Sequence, residues 1–214
     1  MTLPPNDRRA ALQAELMGIS GEEAIELLET LNDCLAVPGD VAEFGVAQGA
    51  TSALMANEMA ATDKHLWLFD SFAGLPAPTE KDVLLTDIFE LGSMAAYEGQ
   101  MSVPMRQVVD RLAAIGFPIS RYHLVPGFIE HTIADDLKPE RVAFAVLDFD
   151  FYEPTAIALA FVDQVLSPGG AMMVDDYGYF SSGVKTAVDE FMVGRKHRYQ
   201  FIERNGYCLL KGKR

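Results

Sequence analysis

The chain has 214 residues, a formal net charge of −14 and 50% hydrophobic residues, enough apolar side chains for the layered core of one domain. That acidity argues against a nucleic-acid partner, whose phosphates need clustered Lys and Arg, and against an anionic membrane surface. A neutral or cationic small molecule suits it better.

Residues 1–19 are polar and poorly patterned, without the apolar run of a signal peptide, and no stretch reaches transmembrane length. Ser20 and Glu23 form a capping-box pattern ahead of a helix expected over 24–36, with Leu27, Leu28, Leu31 and Leu35 on one face. Pro38-Gly39-Asp40 stops it. Residues 1–37 therefore read as an N-terminal helical extension and 38–214 as the main domain. Residues 41–46 read as the first strand, 50–61 as a helix rich in Ala and Met, and 66–69 as the second strand, ending at Asp70.

Between the first strand and its helix, Gly45 and Gly49 let backbone approach a ligand at a helix start. An acid at the end of the second strand, Asp70, is placed to accept hydrogen bonds from ribose hydroxyls. No Lys follows Gly49, so the turn is not a phosphate-binding P-loop.

Residues 71–101 break the rhythm, with prolines, glycines, acids and one short possible helix; a segment this long reads as an active-site lid or binding loop. A helix is expected over 104–115 and a third strand over 122–125. Apolar runs at 142–147 and 171–174 read as buried strands. The stretch between them, 154–166, is apolar at helical spacing and is expected to end at Pro168-Gly169-Gly170. That is a βαβ crossover, which makes its two strands parallel. If they are neighbours, Asp148, Asp175 and Asp176 crowd the C-terminal edge of the sheet, where open α/β folds bind ligands. Clustered carboxylates repel unless a cation or proton lies among them, and a hard divalent cation is the natural occupant. A helix over 184–193 follows, then a β-hairpin around Asn205-Gly206.

In order along the chain, GDVAEFGVAQGATS, LWLFDSFAGLP, VPGFIEHTI, LDFDFYEPT, PGGAMMVDDYG and VKTAVDEF resemble the macrocin O-methyltransferase family, over roughly residues 38–211. Those are class I S-adenosylmethionine-dependent enzymes that methylate sugar hydroxyls, often on antibiotic glycosides. The resemblance implies a Rossmann-like α/β fold with helices on both faces of a seven-stranded sheet, six strands parallel and one antiparallel. It implies S-adenosylmethionine bound near Glu43, Gly45, Gly49, Ser52, Asp70, Ser71, Gly127, Phe128 and Asp148. Glu43 would lie by the methionine moiety, Asp70 on the ribose, and Gly127 with Phe128 beside adenine. It implies Mg2+, or another divalent cation, on Asp148, Asp175 and Asp176, a sugar or glycoside acceptor, and a homo-oligomer. The chain departs from the family in a short N-terminal region, in Phe128 where Trp is common and in His131 where an acid is common, which leaves the acceptor open.

Asp148 is the expected base, with His131 the alternative, and Asp150 either orients the metal shell or caps the following helix. Cys34 and Cys208 sit in apolar patterns and suit free thiols in a reducing cytoplasm. Two rival functions remain: a non-catalytic cofactor-binding protein, and a phosphatase of the haloacid-dehalogenase type, imitated by AVLDFDFYEPT. No Lys stands between Asp148 and Asp175, against the phosphatase. A nicotinamide-dependent reductase is disfavoured by the first glycine turn, which is not a full GxGxxG.

Overall fold

The computed structural model describes residues 6–213; residues 1–5 of the N-terminal extension and Arg214 lie outside the described residues. Seven strands form one sheet: β1 (Asp40–Phe44), β2 (Leu66–Asp70), β3 (Tyr122–Pro126), β4 (Val142–Leu147), β5 (Leu166–Tyr177), β6 (Tyr199–Glu203) and β7 (Gly206–Gly212). Their order is β3-β2-β1-β4-β5-β7-β6. β1 to β5 are parallel; β7 runs antiparallel to β5 and β6 antiparallel to β7, so six strands share one direction. This is the seven-stranded α/β sheet expected, with the Asn205-Gly206 hairpin joining its last two strands.

The helices are α1 (Arg9–Gln13), α2 (Gly21–Cys34), α3 (Ala50–Glu58), α4 (Met105–Ala114), α5 (Ile129–Thr132), α6 (Tyr152–Val165) and α7 (Ser182–Met192). They cover both faces of the sheet, which is why its central strands are apolar on both sides: all six residues of β4 are buried. One core layer joins Leu27, Leu28 and Leu31 of α2 to α3, α4 and the sheet; the other joins α6 and α7 to the opposite face. The expected capping box is present: Ser20 Oγ accepts from the Glu23 amide while the Glu23 carboxyl accepts from the Ser20 amide. α2 is thus packed into the main core.

Several bounds differ from expectation. The expected 50–61 helix is α3 followed by a 3-10 turn over Met59–Ala61. Pro168-Gly169-Gly170 does not end the crossover helix. α6 stops earlier, at Val165, and the three residues form a bulge inside β5, where pairing jumps from Val142↔Leu166 to Phe144↔Ala171. Short helices α1 and α5 were not foreseen, being too brief to show a period.

The 71–101 segment is irregular apart from a 3-10 turn at Met94–Tyr97, as its composition suggests. It has a small core of its own: Leu75, Met94 and Tyr97 pack with Phe151 and Phe180. Those two phenylalanines follow Asp150 and Asp176 closely in sequence.

Candidate active site

β4 and β5 are neighbours, paired Leu147↔Val174. Asp148 therefore leaves one strand beside the point where Asp175 and Asp176 leave the core on the other. A cavity of about 550 Å³ opens there, lined by Gly45, Ala47, Gln48, Asp70, Ser71, Gly127, Phe128 and Glu130, and by Asp148, Asp150, Asp175 and Asp176. Met17, Leu75, Ile88, Phe89, Phe149, Tyr179 and Phe180 complete much of its apolar wall. Among the described residues, no Lys, Arg or His lines it.

The glycine turn is shaped for close approach. Gly45 has φ +89, and a Cβ there would stand 1.7 Å from the backbone oxygen of Asp148, so only glycine fits. Asp70 holds that turn from the next strand: its Oδ2 accepts from the amides of Val46 (2.7 Å) and Ala47 (2.9 Å), and its Oδ1 accepts from the Phe72 amide (2.6 Å). Each carboxylate oxygen has two lone pairs, so Oδ2 is filled and Oδ1 keeps one for a further donor.

Of the nine expected cofactor residues, Gly45, Asp70, Ser71, Gly127, Phe128 and Asp148 line the cavity. Glu43, Gly49 and Ser52 lie behind it. Glu43 is 2% exposed and accepts a hydrogen bond from Ser52 Oγ, while Gly49 precedes α3 as its N-cap. Burial holds Glu43 well above the usual carboxylate range; the Ser52 bond opposes this, and the charges of Asp148 and Asp70 reinforce it.

Carboxylate oxygens of Asp148, Asp150 and Asp176 converge, all within 4.8 Å of one another. Asp175 is not in that trio; its carboxyl is hydrogen-bonded to Glu23 of α2. Burial, then Asp176 and other acids, pushes Asp148 up well above its ordinary range. Burial and then Asp148 push Asp150 up to about 8, and burial with Asp150 does the same in direction for Asp176. Asp150 and Asp176 also adopt positive φ, +63 and +57, a conformation that non-glycine residues rarely take and that clusters at functional sites. A half-buried set of hard oxygen donors that repel one another fits a divalent cation.

Asp150 does not cap α6; its side chain faces Asp176, and the residue preceding the helix, Phe151, offers no side-chain cap. His131 is 80% exposed, beside Glu130, and does not line the cavity. Met17 and Gly18 were missed because residues 1–19 carry no pattern, and Ile88 and Phe89 because they sit in an irregular segment; no sequence signal marks them as wall.

A glycine turn beside an acid on β2, at the C-terminal edge of this sheet order, is the arrangement of a Rossmann-like nucleotide-binding fold, here with the antiparallel β7 of the class I methyltransferase fold. Solved structures agree on the fold. The O-methyltransferase NovP superposes with a TM-score of 0.74 at 24% identity, covering 89% of this chain and 79% of that one. CalS11, a calicheamicin methyltransferase, superposes at 0.69 with 22% identity, covering 95% and 90%. The family profile of macrocin-O-methyltransferase (TylF) matches residues 20–206, and the chain belongs to that family. It is 32% identical over 144 residues to the 8-demethyl-8-(2,3-dimethoxy-alpha-L-rhamnosyl)-tetracenomycin-C 4'-O-methyltransferase of Streptomyces olivaceus, covering 66% of this chain and 54% of that protein. It is 31% identical over 151 residues to the mycinamicin III 3''-O-methyltransferase of Micromonospora griseorubida, covering 66% and 56%. The chain thus spans about half the length of these two relatives. Family membership removes the phosphatase reading of AVLDFDFYEPT.

Proposed function

We propose that this protein transfers the methyl group of S-adenosylmethionine to a hydroxyl of a sugar or glycosylated small molecule, with a divalent cation, Mg2+ by the resemblance, at the acidic cluster. One observation carries the reading: a single cavity holds both the Gly45–Asp70 turn and the converging carboxylates of Asp148, Asp150 and Asp176. Relatives named as O-methyltransferases of glycosylated compounds support the substrate class.

Asp70 and Ser71 would hold the ribose, Gly127 and Phe128 would flank the adenine, and Glu43, anchored by Ser52, would set the backbone beside the methionine end. Methyl transfer from a sulfonium is an in-line displacement, so the walls must hold donor and acceptor oxygen in line. Asp148, Asp150 and Asp176, with Asp175 alongside, would hold the cation. When bound, it supplies a lowered pKa for an acceptor hydroxyl and a fixed direction for it. The hydroxyl proton goes to a carboxylate of the cluster: Asp148 is our assignment, and Asp150 faces the same space.

Charge favours an acceptor without phosphate. The cavity presents Asp70, Glu130, Asp148, Asp150, Asp175 and Asp176 with no cationic side chain among the described residues, so apart from the proposed cation a sugar diphosphate would meet no opposite charge. Ile88, Phe89 and Tyr179 expose apolar surface at the wall, which suits an apolar aglycone. CalS11 is described as a TDP-rhamnose 3'-O-methyltransferase, so nucleotide-linked sugars are the comparison to make. A cytoplasmic setting fits the two buried free thiols, Cys34 and Cys208, and a homo-oligomer is proposed from the family resemblance.

The test is a mass-spectrometric screen of neutral glycosides and nucleotide-linked sugars with S-adenosylmethionine and Mg2+. Methylated glycoside, abolished by EDTA, is expected. Cofactor binding with no turnover on any acceptor would favour a non-catalytic binding protein, and turnover unchanged by EDTA would remove the cation from the mechanism.

A further inference from the structure

Asp82 lies in the irregular 71–101 segment, outside the cavity, and is 5% exposed. Its Oδ1 accepts from the Tyr152 amide (2.7 Å) and from Ser181 Oγ (3.1 Å). Its Oδ2 accepts from the Thr79 amide (2.8 Å) and Thr79 Oγ1 (2.7 Å). Four donors thus converge on one buried carboxyl, two of them from elements that flank the acidic cluster. Tyr152 opens α6, directly after the loop that carries Asp148 and Asp150. Ser181 is the N-cap of α7, which follows the C-terminal end of β5 that carries Asp176.

The surroundings are built for this carboxyl. A Cβ on Gly183 would stand 1.8 Å from Asp82 Oδ1 and 2.8 Å from the Tyr152 amide, so glycine at 183 makes the space. The same strip of chain is stitched to the α7 side: the Val83 amide donates to Ser182 Oγ (2.9 Å), the Ser182 amide to the Val83 oxygen (3.0 Å), and the Leu85 amide to the Phe180 oxygen (2.9 Å). Tyr97 packs edge-on against Phe180, 4.8 Å between ring centres, on the same side.

A helix start is usually capped by a side chain of the residue before it. Here that residue is Phe151, and the acid before it, Asp150, turns to Asp176. The missing cap arrives from 70 residues away.

We infer that Asp82 is a positioning residue for the acidic cluster: by capping α6 and bonding the α7 cap at once, it fixes the distance between the Asp148–Asp150 loop and Asp176. This rests on the cation site proposed above. Removing the carboxyl would let the Asp148–Asp150 loop drift from Asp176 at the end of β5. The cofactor turn on β1 and β2 keeps its own bonds to Asp70.

The experiment compares Asp82→Ala, Asp82→Asn and Ser182→Ala with wild type. Mg2+ affinity is read from its effect on thermal unfolding, and S-adenosylmethionine affinity from titration calorimetry. Asp82→Ala is expected to weaken Mg2+ by about 10- to 100-fold, the usual effect of losing a residue that orients ligands. Its S-adenosylmethionine affinity should remain at the wild-type value. Asp82→Asn keeps one acceptor oxygen for Tyr152 and Ser181 and should recover much of the Mg2+ response. Ser182→Ala, which cuts only the stitching, should bind Mg2+ normally. If Asp82→Ala fails to fold, Asp82→Asn carries the test, with a smaller loss of Mg2+ affinity and unchanged cofactor affinity as the supporting result. Normal Mg2+ affinity in a folded Asp82→Ala, or an equal loss of both ligands, overturns the inference. A wild-type protein that shows no Mg2+ response overturns the underlying cation site instead.

Discussion

Glu23, in the first turn of α2, hydrogen-bonds side chain to side chain with Asp175 on β5. Two carboxyls make that bond only when one carries a proton. The helix preceding the sheet therefore reaches the acidic edge of the candidate site. Glu23 also closes the capping box with Ser20. Glu23→Ala removes both contacts and is expected to cost about 2 kcal/mol, or about 4–8 °C in melting temperature for a domain of this size. Glu22→Ala, on the exposed side of the same turn, should shift stability by less than about 0.5 kcal/mol. Calorimetric melting of both variants decides it; equal effects would show that the Glu23 contacts contribute nothing specific.

A cation that binds only the folded chain must raise its melting temperature. At about 100 times its Kd the gain is about 2.7 kcal/mol, or about 5–11 °C here. Mg2+ added to EDTA-stripped protein should give this shift, and Asp148→Asn and Asp176→Asn, which belong to the converging trio, should each abolish it. A shift that survives both substitutions would place the cation elsewhere.

Asp70 has a double role, bonding the glycine turn and facing the cavity. Asp70→Ala should weaken S-adenosylmethionine binding about tenfold or more, since hydrogen bonds to charged groups contribute about 1.5–3 kcal/mol. It should also lower stability by about 2 kcal/mol through the orphaned amides of Val46, Ala47 and Phe72. Titration calorimetry on the folded variant is the check, and unchanged affinity removes Asp70 from the ribose site.

Glu43 gives a pH signature. Its folded pKa lies well above the ordinary 4.5, chiefly through burial. A carboxyl raised in the folded state contributes stability fully below its unfolded pKa, and that contribution is lost as pH rises toward the folded value. Glu43→Gln cannot ionise. In EDTA and without cofactor it should melt with wild type at pH 4 and increasingly above it as pH rises to 8. Acids that do not interact with Glu43 cancel in the difference; a gap that does not depend on pH would mean that Glu43 is ionised throughout.

The 71–101 segment should change protection when ligands bind. Its 79–86 strip is already bonded to 179–182 through Val83, Leu85 and Thr86, so exchange there should be slow from the outset. The cavity-lining stretches near Leu75 and near Ile88 and Phe89 should slow on adding S-adenosylmethionine and acceptor. Hydrogen exchange by mass spectrometry reads both, and identical protection with and without ligands would make the segment a fixed wall.

The sheet was legible in the sequence because local signals and the global fold agree there. Apolar runs, helical spacing and the Asn205-Gly206 turn each mark an element by its neighbours in the chain. The acids at strand ends were legible for the same reason: parallel topology sends every βα turn to one edge. Two things were decided only in three dimensions. One is which carboxyls converge. Backbone turning at positive φ brings Asp150 to Asp148 and Asp176, while Asp175 turns to Glu23 on a helix far away in sequence. The other is the structural cap that Asp82 supplies across 70 residues, which no spacing rule contains. Periodicity records which face of an element is buried; it carries no information about which distant donor meets a buried acceptor, because that pairing depends on how the layers pack.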